Sequence, residues 1–130
     1  MHTSMHTLAR SILIFSAILI TLGALYDLFS PRLPPNLVSI CHHDPQSTRL
    51  ARELLRALGG ALLAIGLSFL WIALESHPPL SPLEVARILL LVLPAEGVNA
   101  YAMRRVGSPW QIPTAFIVLT VLGATLSLLP

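Results

Sequence analysis

The sequence predicts an all-α polytopic membrane protein, an up-down bundle of four transmembrane helices. Of its 130 residues, 55% are hydrophobic and only 11% are charged, whereas charged residues make up about a quarter of an ordinary soluble domain. The mean hydropathy is +0.77. Four apolar runs each approach the roughly 20 residues that a bilayer-spanning helix needs. We therefore predict a single transmembrane domain over residues 1–130, with spans at about 8–29, 54–74, 83–103 and 113–129.

Proline and capping residues delimit the first two spans. The run 8–29 ends before Ser30-Pro31, which cannot continue a helix. A secretory signal peptide is the alternative interpretation, but the run exceeds a typical signal core and no A-x-A cleavage site follows it. Asp44-Pro45 predicts the start of the second helix well ahead of its apolar run, with Asp44 as the N-cap.

The third and fourth spans open with one repeated pattern. Ser81-Pro82-Leu83-Glu84 and Ser108-Pro109-Trp110-Gln111 both match a capping box, with serine as N-cap and an acidic or amide residue three positions later. Pro94 lies inside the third span, where it removes a backbone hydrogen bond and is expected to kink the helix.

The arginines predict the orientation of the bundle. All eight basic residues are arginines, and five of them flank the first and third connections: Arg32, Arg49, Arg52, Arg104 and Arg105. The opposite side carries only Arg10 and Arg87. The positive-inside rule then places loop 30–53 and the third connection in the cytoplasm and both termini outside.

Small residues at intervals of four predict where helices pack closely. The second span carries Gly60, Ala64 and Ser68, and the fourth carries the pairs Thr120 with Ala124 and Gly123 with Ser127. Such spacing lets helix backbones approach each other in lipid. Packing within the bundle is the favoured interpretation, and packing between copies of the chain is the alternative.

Polar side chains within the apolar runs are the candidate ligand- or proton-binding residues, because an unpaired charge at membrane depth is costly. Four residues qualify: Asp27, Arg56, Glu96 and Asn99. Glu96 and Asn99 are neighbours at i and i+3, and Arg56 is the expected partner of Asp27, Glu96 or both. The group forms either a pocket for a cation, a proton or an anionic headgroup, or a buried ion pair that fixes the helix register.

The first connection contains four adjacent metal-ligating residue types, Cys41-His42-His43-Asp44. Consecutive residues cannot all point at one ion, and structural zinc sites use spaced pairs. Cys41, His42 and His43 are therefore weak metal candidates, and a plain polar loop with a reduced thiol is the favoured interpretation. We predict no metal.

The overall pattern resembles the small four-helix bacterial membrane proteins that include DoxX-like families. The residues that carry the resemblance are the proline-rich first loop, Ser30-Pro31-Arg32-Leu33-Pro34-Pro35, and the sequence Arg56-Ala57-Leu58-Gly59-Gly60 at the start of the second span. The resemblance implies a bacterial inner-membrane protein and carries over no catalytic residue. Small multidrug resistance transporters resemble the chain less, because their membrane glutamate lies in the first span.

No nucleophile elbow, phosphate loop, dinucleotide fingerprint or HExxH motif is present. We therefore predict no catalytic residue and no cofactor, and favour a protein that is not an enzyme. Nucleic acid is not an expected partner, because the arginines form no basic arm or recognition motif. The expected function is membrane binding or an accessory role, with lipids, a second copy or another membrane subunit as partners. The alternative is a small proton-coupled transporter that works as an oligomer.

Overall fold

The computed structural model describes residues 2–129, with side chains from Ser4 onward, and this part of the chain is helical without strands. The helices are α1 (His2–Phe29), α2 (Pro35–Ile40), α3 (Pro45–Glu75), α4 (Pro82–Arg105) and α5 (Gln111–Leu128). All except α2 are long and apolar enough to cross a membrane. The predicted fold class is thereby confirmed, and each predicted span overlaps one of these four helices. Helix α1 begins upstream of the predicted span, and α2 was not predicted.

Two of the three predicted helix starts are confirmed. The Asp44 carboxylate accepts a hydrogen bond from the Ser47 backbone N–H at 2.7 Å, so it caps α3. At the start of α4, the Ser81 hydroxyl accepts from the Glu84 backbone N–H and the Glu84 carboxylate accepts from the Ser81 N–H. This reciprocal pair is the predicted capping box.

The predicted capping box at Ser108 is wrong. Helix α5 begins at Gln111, after Trp110, and its first turn has no side-chain cap. The Ser108 hydroxyl instead accepts a hydrogen bond at 2.8 Å from the Asn36 side chain, which also donates to the Val106 carbonyl at 3.0 Å. Asn36 thus ties α2 to the connection between α4 and α5.

Helix α1 is the centre of the bundle and packs along both α3 and α5, while α4 packs mainly on α5. Of the neighbouring long helices, α3 and α4 contact each other least. The two contacts of α1 are antiparallel. Arg10, near its start, reaches the end of α3, and along α5 Leu13 lies against Gly123 whereas Gly23 lies near Phe116. These contacts agree with the up-down topology.

The small residues of α3 that pack against α1 are not the predicted ones. A Cβ atom on Gly59 would lie 2.6 Å from the Leu28 backbone nitrogen, and one on Gly66 would lie 2.6 Å from the Thr21 hydroxyl. By contrast, a Cβ on Gly60 would meet nothing within 4 Å, and Ala64 and Ser68 are exposed on the outer face. The prediction that Gly60, Ala64 and Ser68 pack within the bundle is therefore wrong.

The stripes of α5 do pack inside the bundle, as predicted. Thr120, Gly123, Ala124 and Ser127 are buried. A Cβ on Gly123 would lie 2.8 Å from the Leu13 side chain. The Thr120 hydroxyl is 2.9 Å from the Ser16 hydroxyl and donates to the Phe116 carbonyl of its own helix. Small size and paired hydroxyls let α1 and α5 approach closely.

The bundle divides into two halves along its length. The closed half comprises residues 4–17 of α1, 66–75 of α3, 82–92 of α4 and 120–128 of α5, and a tight apolar cluster that includes Leu13, Phe69 and Ile88 lies there. The cavity half comprises 20–29 of α1, 45–62 of α3, 96–105 of α4, 111–116 of α5, and α2. It contains the candidate site.

Candidate functional site

A cavity of about 420 Å³ lies between α1, α4 and α5 in the cavity half. We call it the central cavity. Its wall is mostly apolar and includes Ile20, Ala24, Leu62, Met103 and Phe116. Three of the four predicted site residues also line it: Asp27, Glu96 and Asn99. Helices far apart in sequence thus bring two carboxyl groups and one amide to one apolar space.

Glu96 is the most deeply buried ionisable residue of this site, with 1% of its surface exposed. It follows Pro94 by two residues inside α4. Its Oε2 atom accepts a hydrogen bond from the Asn99 side chain at 3.3 Å, so the predicted i, i+3 neighbours are confirmed. This single long hydrogen bond from a neutral amide offsets little of the cost of a charge at this depth.

Asp27 approaches the same cavity from the last turns of α1 and is half-buried. The backbone of α1 at this point lies directly against Gly59, where an added Cβ would come within 3.1 Å of the Asp27 carbonyl carbon. Close packing on the α3 side therefore fixes the backbone that carries Asp27. No arginine or histidine is among the described residues that line the central cavity.

Arg56 does not join this group. Its Nη1 atom lies 3.0 Å from Oε1 of Glu53, one turn earlier on α3, and 42% of its side chain is exposed. The expectation that Arg56 pairs with Asp27 or Glu96 is therefore wrong. Arg56 lies one turn before Gly59, which packs beside Asp27 and Leu28, so it is displaced along α3 toward the end of α1 and pairs there with Glu53.

A second space of about 200 Å³, the side cleft, opens between α3 and α4 next to the central cavity. Leu55 and Leu58 of α3 face Ala102 of α4, and Val106 just after the end of α4, across it. The two spaces share six lining residues: Tyr26, Asp27, Pro34, Asn99, Met103 and Ser108. The side cleft therefore extends the central cavity toward the weakly packed α3–α4 seam.

Sequence reasoning missed several residues that shape the site. Phe116 and Met103 contribute to the cavity wall, and Asn36 holds α2 against the connection beside it. A signal for α2 existed, since Pro35 after Pro34 suits the first position of a helix. The sequence could not indicate that Phe116 and Met103 line a cavity, because apolar residues of a membrane helix are found facing either lipid or protein.

The Cys41-His42-His43-Asp44 segment forms a tight turn between α2 and α3. Cys41 ends α2, and His42 and His43 have positive φ angles of 50° and 58°. Asp44 caps α3, and hydrogen bonds from Ser47 hold the pKa of its carboxyl below the usual range. Among the described residues, no group of three or more histidine, cysteine, aspartate or glutamate side chains is arranged to hold a metal ion.

Comparisons with known proteins give no match at the level of family models, curated proteins or solved structures. The resemblance to DoxX-like families stays a prediction.

Proposed function

We propose that this integral membrane protein binds an amphiphilic molecule with a cationic head, and that the central cavity is the binding site. The observation that supports the proposal is Glu96, 1% exposed, beside Asp27 in an apolar cavity whose described lining contains no basic side chain. A carboxylate at membrane depth is costly unless it is paired or hydrated. A cationic head group would supply the missing partner.

The size and lining of the site fit such a ligand. At about 420 Å³, the central cavity falls in the range of roughly 300–1,000 Å³ typical of small-molecule sites. Its apolar wall, with Ile20, Leu62 and Phe116, would cover the hydrophobic part of the molecule. The carboxyl groups of Asp27 and Glu96 and the Asn99 amide would hold the head. This division of apolar wall and few polar groups is usual for ligand pockets.

The side cleft supports entry from the bilayer. Its walls, Leu55 and Leu58 on one side and Ala102 on the other, are apolar, and Leu58 and Ala102 are exposed at the outer surface. Helices α3 and α4 contact each other least of the neighbouring long pairs. A molecule dissolved in the lipid would therefore reach Asp27 and Glu96 without crossing the polar interface.

The closed half favours binding over transport by a single chain. Leu13, Phe69, Ile88 and Val92 are fully buried there, so the side chains that follow Glu96 toward the other membrane face fill the bundle axis. The alternative of proton-coupled transport would need a path supplied by further copies of the chain. Both functions use the same carboxyl groups, and uptake into sealed vesicles by the purified protein would favour transport.

Binding can be measured with dodecyltrimethylammonium and its uncharged analogue dodecanol, in phosphatidylcholine nanodiscs. A Trp71→Phe background leaves Trp110, next to cavity-lining Pro109, as the fluorescent reporter. We expect tighter binding of the cation, and we expect Glu96→Gln to reduce that preference about tenfold, since a charge-assisted contact is lost. Asp27→Asn should act in the same direction. An unchanged preference in both variants would contradict the proposal.

The location of the ligand needs a matched pair of variants. Gly23 lines the central cavity, and a Cβ there would make only ordinary contact with Phe116 at 3.8 Å. Gly23→Val therefore fills cavity space and should weaken binding of both ligands. Gly60→Val adds the same volume on the open outer face and should weaken neither. If all carboxyl variants fail to fold in detergent, as judged by circular dichroism, the carboxyls are structural and the binding proposal fails.

We also infer a bacterial inner-membrane location with the cavity half on the cytoplasmic side. The support is the arginine distribution and the DoxX-like resemblance. An impermeant maleimide applied to intact cells should label Cys41 only after the membrane is opened. The control is His77→Cys in a Cys41→Ser background, at an exposed position at the opposite end of α3, which should be labelled in intact cells. The reverse pattern would overturn the orientation.

A further inference from the structure

A third concave site lies outside the bundle, in the angle between α2 and the start of α3. It has a volume of about 450 Å³ and shares no lining residue with the central cavity or the side cleft. We call it the basic pocket. Its lining residues are Val38, His43, Pro45, Thr48, Arg49, Arg52 and Glu53. The proposed ligand cavity does not explain this site.

The basic pocket carries more basic than acidic side chains. Glu53 is the acidic member of its described lining, and that carboxylate is already paired with Arg56 at 3.0 Å. Arg49 and Arg52 therefore have no unpaired acidic side chain beside them among the described residues that line the pocket. Thr48 and His43 add side chains that can donate hydrogen bonds.

Arg52 supplies an independent indication of a ligand. Its Nε atom is buried and has no hydrogen-bond acceptor within residues 2–129. A buried donor without an acceptor is uncommon, and each case calls for an explanation. A guanidinium group presents its N–H donors as a planar fork that matches the oxygens of a phosphate. The Arg52 side chain also lines the basic pocket, where its guanidinium group can donate to an anion.

The depth of the pocket suits a lipid headgroup. Arg52 precedes the apolar run that begins at Leu54 by two residues, or roughly 3 Å along the helix axis. Arg49 lies one turn further out. Arginines at this depth reach the level of the phosphates at the membrane surface.

We infer that the basic pocket binds a phosphate-bearing anion through Arg49 and Arg52, with Thr48 and His43 as further donors. An anionic phospholipid headgroup is one source of that phosphate, and a soluble phosphate compound is the other. The site is separate from the central cavity, so its occupancy does not depend on the proposed function. It anchors the α2–α3 turn when the anion is bound.

The test uses a fluorophore attached to Cys41, two residues from His43, in the purified full chain in a neutral detergent. Dihexanoyl phosphatidylglycerol, dihexanoyl phosphatidylcholine and inorganic phosphate are titrated separately. We expect phosphatidylglycerol to bind, with about fivefold weaker affinity in Arg52→Gln and about thirtyfold weaker affinity in the Arg49→Gln/Arg52→Gln double variant. Arg52→Lys, which keeps the charge but loses the planar fork, should be intermediate.

Arg105→Gln is the matched control, because Arg105 is an exposed arginine at the same end of the bundle that does not line the pocket. It should change the affinity less than twofold. If inorganic phosphate binds as tightly as phosphatidylglycerol and depends equally on Arg52, the phosphate site stands and its source is soluble. Equal binding of phosphatidylcholine and phosphatidylglycerol, or equal losses in Arg105→Gln and Arg52→Gln, would overturn the inference.

Discussion

The closed half and the cavity half are built from the same four helices but use their polar groups differently. In the closed half, Arg10 donates to the Ala73 and Leu74 carbonyls at the end of α3. Glu84 there accepts hydrogen bonds from Ser76 and Ser81. These polar side chains join helices. They form hydrogen bonds with backbone carbonyl and N–H groups at helix ends, which have no partner within their own helix.

In the cavity half, the carboxyl groups of Asp27 and Glu96 are left facing an open space. Glu96 accepts one long hydrogen bond, from Asn99, and Asp27 lines the same cavity. The inner face of α1 explains the space, because Gly23 and Ala24 provide little volume where the closed half has Leu13. The comparison teaches that ionisable residues within a membrane bundle differ in role according to whether neighbouring backbone or side-chain groups already form hydrogen bonds with them.

Truncation of one phenylalanine in each half should give the largest contrast in stability. Phe69 is completely buried in the closed half, whereas Phe116 borders the central cavity. Phe69→Ala should lower the free energy of unfolding by about 3 kcal/mol, because packing contacts are lost and a void remains. Phe116 is only partly buried against the apolar cluster, so Phe116→Ala removes fewer contacts and should cost about 1 kcal/mol. Reversible unfolding in mixed micelles measures both values, and equal losses would break the distinction between the halves.

The next contrast concerns the contact between α1 and α3, which holds the backbone beneath Asp27. Gly59→Ala would place a methyl group 2.6 Å from the Leu28 nitrogen, and backbone atoms cannot move aside without separating the helices. We expect a loss of about 2 kcal/mol. Gly60→Ala meets nothing within 4 Å and should stabilise the helix by about 0.5–1 kcal/mol. If the two substitutions have the same effect in that unfolding assay, α1 and α3 are not in the described close contact.

Local signals explain what the sequence predicted well. Helix ends depend on residues within one turn, so Pro31, the Asp44 cap and the Ser81–Glu84 capping box located the spans to within a few residues. The approach of Asn99 to Glu96 follows from helical geometry alone. These features do not require knowledge of how the helices are rotated about their axes.

The rotation of each helix is what the sequence left open. Adjacent residues on a helix point about 100° apart. A helix that packs on α1 through Gly59 and Gly66 therefore presents a different side from one that packs through the stripe that begins at Gly60. Hydropathy cannot decide the rotation of a helix about its axis, because lipid-facing residues are as apolar as buried ones. The central cavity depends on these rotations and was therefore not predictable beyond its ionisable residues.

A smaller effect is expected at the closed end, where Arg10 bridges α1 to α3. Its Nη2 atom donates to the Leu74 carbonyl at 2.7 Å and its Nε to the Ala73 carbonyl at 3.1 Å. Arg10→Gln removes the positive charge from the end of α3, where it is favourable. We expect a loss of about 1 kcal/mol, since one of the hydrogen bonds is exposed to solvent.

Arg87→Gln is the control for that measurement, because Arg87 is exposed on α4 in the same half. It should change the free energy of unfolding by less than about 0.5 kcal/mol. If Arg87→Gln is as costly as Arg10→Gln, the loss reflects the net charge of this end and not the bridge between helices.

The smallest effect is expected at the start of α3 in the cavity half, where the Asp44 carboxylate caps the helix outside the membrane. Hydrogen bonds from Ser47 hold the pKa of the Asp44 carboxyl below its usual range. Stabilisation by the ionised cap is thus fully present above the unfolded pKa of an aspartate and is lost as the pH falls through the lower folded pKa. The hydrogen-exchange protection factor of the Ser47 amide should therefore decrease below about pH 4. Asp44→Asn keeps a capping oxygen but cannot ionise, so the protection of the Ser47 amide should stay constant in this variant over the same pH interval. The same acid dependence in Asp44→Asn would mean that another group titrates. The Asp44 cap would then not be an ionised, hydrogen-bonded carboxylate that contrasts with the carboxyl groups of Asp27 and Glu96 in the central cavity.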